Sequence, residues 1–129
     1  MLIEGELIGA QPVGIDMDRF MIWGCSKNVT SSDMLRADAV RLPIRSQSVD
    51  AIVTDLPYGQ SVCIRAETMD SLYNGALAEM RRVLRSGRRA VVVTHRDVSS
   101  TASRHFTVLQ QHDQRVHKNL TRHILVLRT

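Results

Sequence analysis

The sequence predicts an α/β open sheet, and three observations predict it. First, Ala51-Ile52-Val53-Thr54 and Ala90-Val91-Val92-Val93-Thr94 are continuously apolar rather than alternating. That pattern suits central strands of a parallel sheet covered on both faces. Second, residues 67–85 place Met69, Leu72, Tyr73, Ala76, Leu77, Met80, Val83 and Leu84 at the i, i+3, i+4 spacing of an amphipathic helix. Third, strand and helix patterns alternate along the chain.

Taken in order, residues 2–8 read as a helix and Pro12-Val13-Gly14-Ile15 as a strand. A helix starts at Asp18 and runs to about Lys27, and Met34-Leu35-Arg36-Ala37 forms a short strand. The strand at 51–54 and the helix at 67–85 follow. Arg81, Arg82 and Arg85 close that helix, and Gly87 of Ser86-Gly87 is its expected stop. The strand at 90–94, a weaker one at Phe106-Thr107-Val108-Leu109 and a last one over 122–127 complete the series. The chain opens on a helix with no strand before it, whereas such a sheet ordinarily opens on a strand whose loop touches the ligand.

Composition narrows the class. At 129 residues the chain is read as one domain, and 43% hydrophobic with 23% charged residues is a globular balance. No apolar run approaches the roughly 18 residues of a membrane span. Glu4 and Glu6 stand where a signal peptide carries base, so a cytoplasmic protein is expected. Cys25 and Cys63 are too few for a disulfide framework or a cysteine zinc site. Fifteen of the 17 basic residues are Arg, which fits either phosphate binding or an Arg-rich coding bias.

Three acids follow predicted strands: Asp16 after 13–15, Asp38 after 34–37 and Asp55 after 51–54. Carboxyl ends of parallel strands share one edge, where ligands bind, so the three carboxylates are expected to converge there. A single acid at such a place serves equally as a helix cap or turn former. Within Asp55-Leu56-Pro57-Tyr58-Gly59, Pro57 removes an N–H and stiffens the backbone. Carbonyl and carboxylate acceptors beside an aromatic plate suit a planar base with an exocyclic amino group.

Val53-Thr54-Asp55-Leu56-Pro57-Tyr58-Gly59 resembles motif IV, (D/N)-P-P-(Y/F), of the amino-methyltransferases that use S-adenosylmethionine. With Arg36-Ala37-Asp38-Ala39, Leu42-Pro43 and Ser48-Val49-Asp50 before it, the run is similar to the archaeal tRNA (guanine-N2-)-methyltransferases. These form an RNA methylase group whose longer members carry an N-terminal THUMP domain. Val116-His117-Lys118-Asn119-Leu120-Thr121-Arg122 resembles that group's C-terminal hairpin. The resemblance implies a Rossmann-like class I methyltransferase fold, a three-layer α/β sandwich of strand order 3-2-1-4-5-7-6 with the seventh strand antiparallel. Two departures stand out. Leu56 replaces the first Pro, and residues 2–10 match the helix after the family's glycine-rich motif I, so strand 1 and that loop are expected to be missing. A partial catalytic domain over 1–129 is the expectation, with motif I and a THUMP domain supplied by a missing N-terminal segment.

The resemblance assigns Asp16 to the ribose hydroxyls, and Asp38 with Ala39 to the adenine of S-adenosylmethionine. Asp55, Pro57 and Tyr58 match the clamp on the target amine. The implied reaction is methylation of a nucleobase amino group in RNA, guanine N2 in tRNA, with no metal. Alternatives are a DNA adenine or cytosine amino-methyltransferase and a non-catalytic fragment or subunit of a split enzyme. The five histidines match no common zinc spacing. The run Arg81, Arg82, Arg85, Arg88, Arg89 belongs to the edge opposite the crevice, where it complements the helix dipole. Arg65, Arg96, Arg115, Lys118 and Arg122 are the expected RNA contacts.

Overall fold

The computed structural model describes residues 1–57 and 68–129. They fall into two compact units, Met1–Pro43 and Ile44–Thr129.

The first unit contains α1 (Leu2–Leu7), β1 (Val13–Asp16), α2 (Arg19–Ser26) and β2 (Asp33–Arg36). β1 and β2 pair in parallel from Val13↔Asp33 to Asp16↔Arg36. Asp18 caps α2 by accepting the Phe20 N–H at 2.7 Å, as a residue that starts a helix should. Gly14 is the buried point of β1. A Cβ there would stand 2.5 Å from Met34 Sδ and 2.8 Å from Leu2 Cδ1, so glycine lets α1 and β2 close on the strand.

One carboxylate ties this unit together. Glu6 of α1 accepts the Ser31 N–H at 2.9 Å, the Thr30 hydroxyl at 2.9 Å and the Ser32 hydroxyl at 2.5 Å. These bonds, that from Ser32 foremost, hold its carboxyl down from 4.5 to about 2. Because the folded value is lowered, the clamp's contribution is complete above about pH 4.5 and is lost as pH falls through about 2. Amide exchange at residues 30–32, followed down that range, is expected to accelerate as Glu6 protonates, and Glu6→Gln should abolish the dependence.

The second unit contains β3 (Val49–Asp55), α3 (Met69–Val83), β4 (Leu84–Thr94), α4 (Ser99–Ala102), β5 (Thr107–His117) and β6 (Leu120–Arg128). The sheet order is β3-β4-β6-β5, with β3 and β4 parallel and β6 antiparallel to both its neighbours. Each sheet thus keeps its part of the expected order: 3-2 in the first unit, 4-5-7-6 in the second. The α3 stripe buries Tyr73, Ala76, Leu77, Met80 and Val83. Ala90, Val92, Leu125 and Leu127 are buried on the sheet, and Val98, Ala102 and Phe106 around α4.

Two expectations are corrected. Helix α3 stops at Val83, and Leu84 is already extended (φ −68°, ψ 136°). The carbonyls of Arg82 and Val83 accept the N–H groups of Gln47 and Ser48, so the chain entering β3 satisfies the helix end and no glycine stop is required. Gly87 instead takes a positive φ of 75° where the β3–β4 register shifts between Val49↔Leu84 and Ala51↔Arg89. The second correction concerns β3, which among the described residues is the edge strand of this unit's sheet, paired with β4, and leaves Val53 57% exposed. Within this unit α3 and α4 bury one sheet face, that of Ala90, Val92 and Leu125. Val53 lies on the other.

Candidate active site

Each unit carries its predicted acids to the carboxyl edge of its parallel strands. Asp16 is the last residue of β1 and is exposed. Its Oδ1 accepts the Asp18 N–H at 2.8 Å, turning the chain into α2. Asp38 lies two residues past β2 and is half-buried. Its Oδ1 accepts the Val40 N–H at 3.1 Å, and its carbonyl accepts the Arg41 N–H at 3.0 Å. Asp38 therefore heads a tight turn with Ala39 inside it. Both acids commit one carboxylate oxygen to their own loop. The turn roles open to a lone acid are thus present here, and a second oxygen remains on each.

In the second unit Asp55 closes β3, exposed, opposite Val93. Leu56 is 3% exposed and donates its N–H to the Val93 carbonyl at 2.9 Å. A proline at 56 could not make that bond. The departure from the double-proline motif therefore exchanges ring stiffness for a ladder hydrogen bond and a buried side chain. The Pro57 carbonyl accepts the Tyr73 hydroxyl at 2.8 Å. Tyr58 and Arg65, like Cys63, lie outside the described residues.

Tyr73 links the motif to the end of β4. Its hydroxyl oxygen is 3.4 Å from His95 Nδ1. A phenol has one proton, and here Pro57 takes it, so the contact with His95 requires the imidazole proton on Nδ1. Burial, then the charges of Arg96 and His123, push the His95 pKa down, favouring the neutral ring. The sequence analysis placed Tyr73 on the apolar stripe of its helix and gave His95 no role. Two signals were present: a buried tyrosine hydroxyl needs a polar partner, and His95 stands after a strand just as the three acids do.

Cations rim the same edge of the second unit. Arg96 follows β4 and lies 3.6 Å from Asp70. Thr94 pairs with His123, so the β5–β6 hairpin extends past the end of β4. Arg115 and Lys118 are exposed there, and Arg122, half-buried, stands opposite Gln114. His123 bonds Asp113 at 2.8 Å. The other basic run lies at the opposite edge. Arg82 pairs with Glu79 at 2.7 Å and donates to the Ile44 carbonyl, and Arg85 and Arg88 pair with Asp50. Among the described residues, no group of three or more His, Cys, Asp or Glu side chains is placed to hold a metal ion.

The UPF0020 family model, an RMKL-like methyltransferase domain, matches residues 4–124. The chain belongs to this methyltransferase family. It is 33% identical, over 134 residues, to the tRNA (guanine(10)-N2)-dimethyltransferase of Methanothermobacter thermautotrophicus; that match takes in 98% of the chain and 40% of the relative. The chain therefore spans under half the length of this curated relative. TrmN from Thermus thermophilus superimposes with a TM-score of 0.77 at 20% identity, over 99% of this chain and 40% of that one. The N-methyltransferase NodS from Bradyrhizobium japonicum, solved with S-adenosyl-L-homocysteine, gives 0.72 at 14% identity, over 92% and 66%. The methyltransferase domain has the Rossmann-like class I fold. Among its described residues, no helix is long and apolar enough to cross a membrane.

Proposed function

We propose that the protein methylates an exocyclic amino group of a nucleobase in RNA, guanine N2 of tRNA, using S-adenosylmethionine. The observation that carries this reading is the Asp55-Leu56-Pro57 segment. It combines an exposed carboxylate at the end of a parallel strand with a backbone held by Val93 on one side and Tyr73 on the other. The two units are taken as one methyltransferase domain over 1–129, in keeping with a family match that runs across both. The substrate in the relative's name, tRNA, is extended to the whole protein here, and a cytoplasmic location is proposed with it.

The donor set suits S-adenosylmethionine. Asp16 and Asp38 each have a second carboxylate oxygen for hydroxyl or amine hydrogens, and Ala39 puts only a methyl group in the turn beside them. When bound, S-adenosylmethionine supplies an electrophilic methyl group on a positively charged sulfur. The chain's part is to prepare the amine. A guanine amino nitrogen is a poor nucleophile because its lone pair is delocalised into the ring. Asp55 and a backbone carbonyl of its segment accept the amine hydrogens, which favours a pyramidal nitrogen with a directed lone pair. Tyr58 stacks on the base once it is extruded from its helix. Arg65, Arg96, Arg115, Lys118 and Arg122 supply charge for the RNA backbone.

Transfer of labelled methyl groups to unmodified tRNA, followed by nucleoside analysis, tests the reading. Label in N2-methylguanosine is expected. Label confined to adenine or cytosine amino groups, or none at all with the whole gene product, overturns it.

Tyr73 acts in this scheme as a positioning residue. Tyr73→Phe keeps the ring in the core and removes the donor to Pro57. A drop in kcat of several-fold, up to about tenfold, is expected with KM for tRNA unchanged. The melting temperature should fall by only a few degrees. A rise in KM with unchanged kcat would assign Tyr73 to binding instead.

A further inference from the structure

Helix α2 carries an exposed aromatic stripe that no step above uses. Phe20 is 66% and Trp23 62% exposed. The Arg19 guanidinium lies over the Phe20 ring, 4.8 Å from its centre, and the Lys27 ammonium lies over the Trp23 ring at 3.6 Å. At about 100° per residue, positions 19, 20, 23 and 27 fall within an arc of about 100° on the helix. Arg19, Phe20 and Trp23 line an open depression between them. Asp18, the nearest acid, points elsewhere on the helical wheel and is engaged as the cap.

We propose that this stripe is a second RNA contact, binding an unpaired segment by stacking bases on Trp23 and Phe20 while Arg19 and Lys27 meet the phosphates. The proposal rests on the RNA reading above for the polymer, and on none of its chemistry. Charge decides the occupant. Each ring is already covered by a cation, and an apolar protein surface would have to strip the solvent from both cations without neutralising them. A nucleic-acid strand offers a π-face for each ring and a phosphate for each cation, the combination that binds single strands without sequence preference.

Trp23 is the chain's one tryptophan, so its fluorescence reports on the stripe directly. The full chain is titrated with an unstructured RNA oligonucleotide and, separately, with heparin, a polyanion without bases. Quenching by the oligonucleotide but not by heparin is expected. Phe20→Ala and Trp23→Ala, followed by anisotropy of labelled RNA, should each weaken binding on the order of tenfold with circular dichroism unchanged. Lys27→Gln should weaken binding and flatten its salt dependence. Equal quenching by heparin, or unchanged affinity in both aromatic variants, overturns the proposal. So does self-association that Trp23→Ala abolishes and RNA leaves intact, since the face would then be a protein interface. The binding assay needs no turnover. Quenching without methyl transfer would sink the catalytic reading and spare this one; transfer with unaffected aromatic variants would do the reverse.

Discussion

Asp55→Ala is expected to lower kcat for tRNA methylation by about 10²–10³-fold in the whole gene product, with a smaller change in KM. In the proposed mechanism the carboxylate's hydrogen bond to the amine strengthens as the nitrogen becomes pyramidal, so its removal would act on the transition state more than on bound RNA. Asp55 is exposed at the strand end, so the fold should tolerate the change. Tyr58→Ala should act differently, weakening base capture by about 1–3 kcal/mol through lost stacking. Arg81→Ala is the control. The last turn of α3 sits beside the start of β3, where Gln47 and Ser48 bond its carbonyls, so Arg81 is at the edge opposite Asp55. Single-turnover rates of the three variants decide the matter. A near-normal rate in Asp55→Ala beside a crippled Arg81→Ala would move the active site to the other edge and reduce the motif to a turn.

The largest stability effect is expected from Leu77→Ala. Leu77 is fully buried on α3, in the core that Ala90 and Val92 of β4 share. Truncation there loses the transfer energy of the side chain and leaves a cavity, costing about 2–5 kcal/mol. Val53→Ala removes an apolar side chain of the same sheet but on its other face, 57% exposed, and should cost about 0.5 kcal/mol or less. Denaturation midpoints of the two variants against the parent measure the contrast. Equal losses would mean that both faces of β3 are covered in the protein in solution.

Much of this was legible in residues alone. Binary patterns placed α1, α2, α3, β1, β2, β3 and β6 to within a few residues, because period 3.6 and apolar runs depend on neighbours in sequence. β4 (Leu84–Thr94) and β5 (Thr107–His117) run well beyond the apolar segments read at 90–94 and 106–109. Acids after strands marked Asp16, Asp38 and Asp55 as candidates, and each lies at or just past the carboxyl end of a parallel strand of its own unit. The motif around Asp55 carried the family. Tertiary structure decided what depends on partners distant in sequence. Gly87 looked like a helix stop, yet α3 ends earlier because residues 47–48 meet its last carbonyls. Leu56 looked like a weakened proline, yet the Val93 carbonyl accepts a bond that only a residue with an N–H can donate. Tyr73 and His95 came together across 22 positions, a contact that no local pattern encodes. The exposure of Val53 and of the Phe20–Trp23 stripe was likewise hidden. Sequence periodicity tells which side chains share a face, but only the packed chain tells whether anything covers it.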